Sequence, residues 1–224
     1  MSDLTVTLSD LAGEKARSEY SVDALLCRLS DIFIASAILV FIAPLLLIVM
    51  VLVWAQDGGP MIFAHSRVGR GGRMFKCLKL RSMRMDADVQ LARILATDPQ
   101  ARAEWERDQK LRNDPRITRI GRFLRRSSID EFPQLVNVLK GEMSLVGPRP
   151  IVPAEAARYG RRIQAYARVR PGITGLWQVS GRNDTSYRRR VALDVMYSRS
   201  YSAILYYHIL IRTVPAVLLS RGSC

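Results

Sequence analysis

The sequence predicts an α+β protein in which an N-terminal membrane-embedded helix, Pro-kinked and re-entrant, precedes a compact cytosolic domain with a small β-hairpin or sheet and amphipathic interfacial helices. Three observations predict it. Residues 32–56 carry no charge, the stretch after them reads as two short strands around a glycine-rich turn, and arginines recur every third residue beside apolar ones between 116 and 125. A chain of 224 residues holds one modest domain plus an anchor. We divide it into a tail at 1–22, an anchoring helix at 23–57 and a domain at 58–224. Lysine plus arginine number 34 against 20 aspartates plus glutamates, a formal charge of +14, which calls for a partner rich in negative charge. Nucleic acid, anionic lipid and phosphorylated substrates all satisfy that. Cys27, Cys77 and Cys224 are too scattered for a disulfide framework or a C-x-x-C metal site, and suit a reducing compartment.

A straight helix over residues 32–56 rises about 37 Å, enough for a hydrocarbon core of roughly 30 Å. Pro44 stands at its midpoint, removing a backbone hydrogen bond and clashing with the preceding turn. A sharp bend there leaves two arms of about 18 Å, each the depth of one leaflet. Spanning and re-entrant forms both fit the residues, and the proline favours the re-entrant one. The stretch begins too deep in the sequence and runs too long for a cleavable signal peptide. Arg67, Arg70, Arg73, Lys76, Lys79, Arg81 and Arg84 follow it closely, a density that sets the C-terminal domain on the cytoplasmic side.

The segment MIFAHSRVGRGGRMFKCLKLRSM reads as a hairpin whose turn glycines permit positive φ. At the end of its second strand Lys79, Arg81 and Ser82 offer cations and a hydroxyl to phosphate oxygens, or form an ordinary solvated strand end. Residues 85–112, broken by Pro99, read as two exposed helices. RITRIGRFLRR spaces Arg116, Arg119, Arg122 and Arg125 three apart with Ile117, Ile120, Phe123 and Leu124 between them, an amphipathic helix with a basic flank suited to the core or to a lipid interface.

Asp130 and Glu131 form an acidic pair in this basic neighbourhood. Ser128 and Glu131 have the spacing of a capping box, which would make Glu131 a helix cap. The alternative is chemistry: carboxylates kept ionised by Arg122, Arg125 and Arg126 suit attack on phosphorus, and Mg²⁺ commonly takes one or two carboxylates plus substrate phosphates. Arg149 stands between two prolines in VGPRP, displayed from a stiff loop for phosphate binding or simply part of a rigid turn. RPGITGLWQVSGRND reads as a turn, a strand over residues 173–179 with Trp177 in the core, and a polar loop carrying Arg182. The apolar stretch 201–219 contains Arg212, which argues for interface or core over a span.

The segments KLRSM, DPRITRIGRFLRRSSIDEFPQLVNVLKGEMSLVGPRP and RPGITGLWQVSGRND, with LSRGS near the end, resemble the bacterial sugar transferase family, the monotopic polyprenyl-phosphate phosphoglycosyl transferases, over residues 26–223. The resemblance implies transfer of a sugar 1-phosphate from a UDP-sugar to undecaprenyl phosphate at the bacterial cytoplasmic membrane, with UMP released. GRNDTSY and LSRGS are most similar to the galactose 1-phosphate transferases that initiate exopolysaccharide synthesis, with glucose the alternative sugar. It further implies Asp130 as nucleophile, Glu131 as Mg²⁺ ligand, Arg125, Arg81 and Ser82 at the family's basic and hydroxyl positions, and Pro44 at the re-entrant bend. Asp194 matches a family acidic position. Two departures stand out: Ala43 precedes the bend proline where relatives often have Ser, and Tyr201 and Tyr206 occupy positions where they often have Trp and Asp.

The expected partners are therefore a UDP-sugar, undecaprenyl phosphate and membrane lipid, with homo-oligomerisation left open. Nucleic acid is not expected, because no groove-entering or base-stacking motif accompanies the charge. A non-catalytic scaffold of polysaccharide assembly would tolerate loss of the acidic pair, whereas an enzyme would not.

Overall fold

The computed structural model describes residues 22–108, 111–181 and 186–218, so the expected tail falls, but for Val22, outside the described residues. Helix α1 spans Val22–Ala55 and continues through Pro44. Among the described residues it is the one helix long and apolar enough to cross a membrane. Its buried positions are Cys27, Asp31 and Ala35 near one end and Val49 and Val53 near the other. At 3.6 residues per turn, the 18 residues from Ala35 to Val53 make five turns, so both lie on one face; Pro44, nine residues from each, lies on the opposite, exposed face.

Both ends of α1 are fastened by polar groups. Arg28 donates Nη1 and Nη2 to the carbonyl oxygens of Val138 and Leu139 at 2.6 and 2.9 Å. Asp31 Oδ1 accepts from the Leu145 amide (2.8 Å), the Ser144 hydroxyl (3.1 Å) and the Tyr206 hydroxyl (2.8 Å). At the other end Arg81 Nη2 donates to the Val53 carbonyl at 3.1 Å and pairs with Asp57. Between these anchorages Val40, Phe41, Leu45, Leu47 and Ile48 are exposed.

Strands β1 (Ile62–Val68) and β2 (Met74–Leu80) form the expected antiparallel hairpin, with Ile62 opposite Leu80 and Val68 opposite Met74. Gly71 and Gly72 turn it at φ 65° and 73°, values a side chain would resist. Cross-strand partners share a face, so Phe63, His65 and Arg67 lie on the face of Lys79, Cys77 and Phe75. The expected exposed pair follows as α2 (Ala87–Thr97) and α3 (Pro99–Asp108), the latter opened by Pro99 with Asp98 Oδ1 accepting from the Gln100 and Ala101 amides.

Helix α4 (Arg119–Ser127) begins where Thr118 Oγ1 accepts from the Gly121 amide at 2.8 Å. That cap starts the helix after Arg116, which is buried in a bidentate pair with Asp114 (2.8 and 2.7 Å) and lies over the Trp105 ring. The basic flank is therefore smaller than the spacing of four arginines suggests. Arg125 also turns inward, its Nε donating to Ser82 at 2.9 Å, and Phe123 points outward at 60% exposure while Leu124 is buried.

Helix α5 (Gln134–Lys140) packs beside β2, where Asn137 accepts from the Leu78 amide and donates to the Lys76 carbonyl, extending the strand edge with a side chain. Gly141, at φ 80°, closes α5. β3 (Ser144–Val146) pairs in parallel with β4 (Gly172–Thr174). Helices α6 (Pro153–Tyr159), α7 (Ile163–Ala167), α8 (Leu176–Val179), α9 (Tyr187–Arg199) and α10 (Ala203–Leu218) complete the described chain. The strand expected at 173–179 is thus cut short after Thr174. Its partner β3 is only three residues long, and without a ladder to join the chain coils into α8, placing Trp177 in the interior as expected.

One core cluster joins α1 to α5, β3 and α10 through Ala35, Val138, Met143, Tyr206 and Ile209; a second gathers Val68, Ile151, Tyr159, Tyr166, Val191 and Val195. The third, Val49, Val53, Leu80 and Leu124, ties the far end of α1 to the hairpin and α4. α4 crosses the exit of β2 so closely that a Cβ on Gly121 would stand 1.9 Å from the Ser82 carbonyl oxygen. Gly121→Ala is expected to cost about 2 kcal/mol by overpacking, lowering the thermal midpoint of the detergent-solubilised protein by roughly 5 °C; an unchanged midpoint would contradict this crossing.

Candidate active site

α4 ends at Ser128, whose φ of 58° is the one positive value at a non-glycine among the described residues. Holding it there costs on the order of 1 kcal/mol. The left-handed step swings the chain into a single 3₁₀ turn, Ile129–Glu131, that runs through Pro133 into α5. Ser128 thus closes the preceding helix, and its side chain makes no capping bond. The capping-box reading of Ser128 and Glu131 is set aside, and Glu131 turns instead to the hairpin.

There Lys79 Nζ lies 2.6 Å from Glu131 Oε1 and 4.0 Å from Asp130 Oδ2. Asp130 is 8% exposed, and Glu131 is half-buried. Burial pushes the Asp130 carboxyl up to about 6; Lys79 and Arg125 oppose that rise and Glu131 adds to it. The arginines around the pair were expected to keep it ionised. At Asp130 desolvation exceeds their pull and raises the pKa, yet at about 6 the carboxyl is still mainly ionised at neutral pH.

Around the pair stand more cations. Cys77, buried on the same hairpin face, has its thiol pushed up chiefly by burial, and the charges of Lys79, Arg67, Glu131 and Arg149 reach it. Arg67 Nη1 donates to the Pro150 carbonyl at 3.2 Å and lies 3.8 Å from Glu155; burial, then the charge of Arg149, lower its pKa. Arg149 lies 5.8 Å from the Trp177 ring centre. Behind it Asp194, 1% exposed, accepts from the Tyr159 hydroxyl at 2.7 Å and from the Arg149 amide, and burial pushes it up to about 7 against those bonds.

Of the residues singled out in the sequence, Lys79, Asp130 and Glu131 therefore meet directly. Arg125 and Ser82 bond to each other, with Arg125 close enough to Asp130 to influence its charge, and Arg149 joins through the environment of Cys77. Arg81 is turned away to the end of α1, Asp194 supports the Arg149 loop from beneath, and Arg182 lies outside the described residues. Sequence reading missed Arg67 and Tyr159 as members of this neighbourhood. Strand alternation carried the signal for Arg67, which shares a face with Lys79.

Among the described residues no group of three or more His, Cys, Asp or Glu converges as a metal cage. The Asp130–Glu131 pair nonetheless fits a Mg²⁺ that draws most of its ligands from water and substrate phosphates, because one or two carboxylates suffice for it.

Against known proteins, the model of the bacterial sugar transferase family matches residues 22–220, and the chain belongs to that family. It is 51% identical over 196 residues to the UDP-galactose-lipid carrier transferase of Erwinia amylovora, covering 88% of this chain and 41% of that protein. It is 50% identical over 199 residues to the undecaprenyl-phosphate galactose phosphotransferase of Salmonella typhimurium, covering 88% and 41%. With the exopolysaccharide production protein ExoY of Sinorhizobium fredii it shares 47% identity over 196 residues, 88% of this chain and 87% of the relative. The chain thus spans about two fifths of the first two relatives and most of the third.

The raised Asp130 pKa has a signed consequence for stability. The folded state holds the Asp130 proton more tightly than the unfolded chain, so its contribution is intact below about pH 4 and is lost as pH rises through about 6. Asp130→Asn should therefore be more stable than the parent above pH 7, by on the order of 3 kcal/mol, with the gap closing toward pH 4. Thermal melts of both proteins across that range measure it, and a gap independent of pH would contradict the burial argument.

Proposed function

We propose that the chain transfers a hexose 1-phosphate, galactose in preference to glucose, from a UDP-sugar to undecaprenyl phosphate with release of UMP, as the first membrane step of exopolysaccharide synthesis. The observation that carries this reading is the buried Asp130 beside half-buried Glu131, both within reach of Lys79. The names of the Erwinia and Salmonella relatives favour galactose, while a Caulobacter vibrioides relative at 41% identity is a UDP-glucose:undecaprenyl-phosphate glucose-1-phosphate transferase.

In this reading the Asp130 carboxylate attacks the β-phosphorus of the donor. The bond from that phosphorus to the bridging oxygen breaks, UMP departs with the electron pair, and an aspartyl phosphosugar remains. A phosphate oxygen of undecaprenyl phosphate then attacks the same phosphorus, the Asp130–phosphorus bond breaks, and the carboxylate is regenerated. Lys79, Arg125 and Arg149 supply fixed positive charge to a pyrophosphate that would otherwise repel the nucleophile. Glu131 would hold Mg²⁺, whose charge draws Asp130 to its ionised form and neutralises the phosphates. Because Asp130 must be ionised to attack, the first step is expected to weaken below about pH 6.

The reading extends to topology, with α1 as a re-entrant hairpin and the domain on the cytoplasmic face of the inner membrane. Both ends of α1 are bonded to one domain, whereas the ends of a straight 34-residue span would stand about 50 Å apart on opposite sides. Pro44 lies on the face opposite the anchored residues, and its ring opens the helix on the outer side of such a bend. A cavity of about 330 Å³ lined by Leu39, Val40, Ala43, Leu46, Leu47 and Met50, all from α1, also fits a helix that is not straight there. The density of Arg and Lys after α1 favours the cytoplasmic side.

Purified protein given Mg²⁺, UDP-galactose or UDP-glucose, and undecaprenyl phosphate should release UMP, and more from UDP-galactose. Asp130→Asn should lower that rate by roughly a thousandfold or more, and omitting the acceptor should leave the parent protein heavier by one hexose phosphate; equal turnover in the variant would remove Asp130 as nucleophile. For topology, single cysteines at Asp23→Cys and Gln56→Cys, in a background without the native thiols, should both react with a membrane-impermeant maleimide from the cytoplasmic side only. Labelling of position 23 from the periplasm would establish a span.

A further inference from the structure

Five buried side-chain atoms among the described residues have no hydrogen-bond partner: Arg81 Nη1, Trp177 Nε1, Gln178 Oε1, Tyr187 Oη and Arg190 Nε. Three of the five belong to one stack, and a fourth is carried by the residue that follows Trp177 in the chain. Arg190 stacks over the Trp177 ring at 4.3 Å and lies 5.8 Å from the Tyr187 ring, and Gln178 adjoins Trp177 in α8. Trp177 itself is 5% exposed. Buried polar atoms are seldom left unpaired in a folded chain, and four together are costly unless something pairs with them in use.

Their chemistry is specific. The orientation of Gln178 is fixed by its Nε2, which donates to the Ile173 carbonyl at 3.3 Å and leaves Oε1 as an acceptor. Trp177 Nε1 and Arg190 Nε can only donate, and the Tyr187 hydroxyl can do either. Two donors and an acceptor complement the imide edge of uracil, which presents an acceptor, a donor and an acceptor. Cytosine presents a different order and would leave part of the set unpaired.

Location agrees. Arg149 lies beside the Trp177 ring on one side and, on the other, shares the surroundings of Cys77 with Lys79 and Glu131. A nucleotide whose β-phosphorus faces Asp130 can thus direct its α-phosphate to Arg149 and its nucleoside beyond it. Gln178, Tyr187 and Arg190 are half-buried, and Arg190 swinging from the ring would open the edge of Trp177 to a base.

We propose that Trp177, Gln178 and Arg190, with Tyr187 at its rim, form the pocket that reads the uracil nucleoside of the donor. The inference rests on the nucleotide-sugar reading above and assigns the base-recognition site within it. Arg149 links this pocket to the phosphates, while discrimination between hexoses belongs elsewhere.

The test measures equilibrium binding of UMP, CMP and galactose 1-phosphate to the detergent-solubilised full chain with Mg²⁺, for the parent protein, Trp177→Phe and Gln178→Met. Trp177→Phe keeps an aromatic ring while removing the N–H together with the five-membered half of the indole; Gln178→Met, at a half-buried position, is the second arm should the first unfold. The parent should prefer UMP over CMP by at least about tenfold, and each variant should narrow that ratio by about tenfold while leaving the relative kcat/KM for UDP-galactose and UDP-glucose unchanged. A shift in the galactose-to-glucose ratio with the UMP-to-CMP ratio intact would assign the cluster to the hexose and overturn the proposal, as would two folded variants that change neither. Base discrimination that responds to the variants in a protein releasing no UMP from UDP-sugars would refute the transferase reading and leave the nucleoside pocket standing.

Discussion

The architecture depends on fastening a largely apolar helix to a polar domain at both of its ends. An apolar face alone cannot choose a register, because lipid and protein interior are nearly equivalent solvents for it. Arg28 and Asp31 remove that freedom at one end by meeting the carbonyls that close α5 and the amide that opens β3; Arg81 does so at the other by meeting the last turn of α1. Everything that positions Asp130 follows from these anchorages. β2 leaves Arg81 for Ser82, Ser82 receives Arg125 from α4, and α4 ends one turn before the acidic pair.

At that pair two demands oppose each other. A nucleophile toward phosphorus works best stripped of water, and a carboxylate stripped of water prefers its proton. The chain meets the conflict with one lysine shared between two neighbouring carboxylates and with arginines held a little further away. On the proposed reading the donor meets positive charge already in place, and any added positive charge would lower the Asp130 pKa from about 6.

Much of this was legible in the residues. Twenty-five consecutive uncharged positions, paired glycines in a turn and a proline between two charged helices each have one cheap structural solution, and α1, the hairpin and the α2–α3 pair follow it. The acidic pair could be found because carboxylates among arginines are unusual, but its setting could not be read. Ser128 and Glu131 have the spacing of a cap, and only the left-handed turn, imposed by α4 packing on Ser82, decides against it. The same holds for Arg116 and Arg81: sequence supplies a cation, and tertiary structure supplies Asp114 or Asp57 to take it out of service. Tyr206 reverses the case, since a tyrosine at an unusual position turned out to be a donor to Asp31.

The third core cluster bears on how the protein can be handled and how it is made. Val49 and Val53 cover Leu80 and Leu124, so the apolar helix also roofs part of the domain that carries the acidic pair. Trimming the chain to a water-soluble fragment beginning after Ala55 would uncover those leucines and strip Arg81 of its carbonyl, leaving a sticky and loosened remnant. On the proposed placement of α1 in a bilayer, the domain cannot complete its interior apart from its anchor.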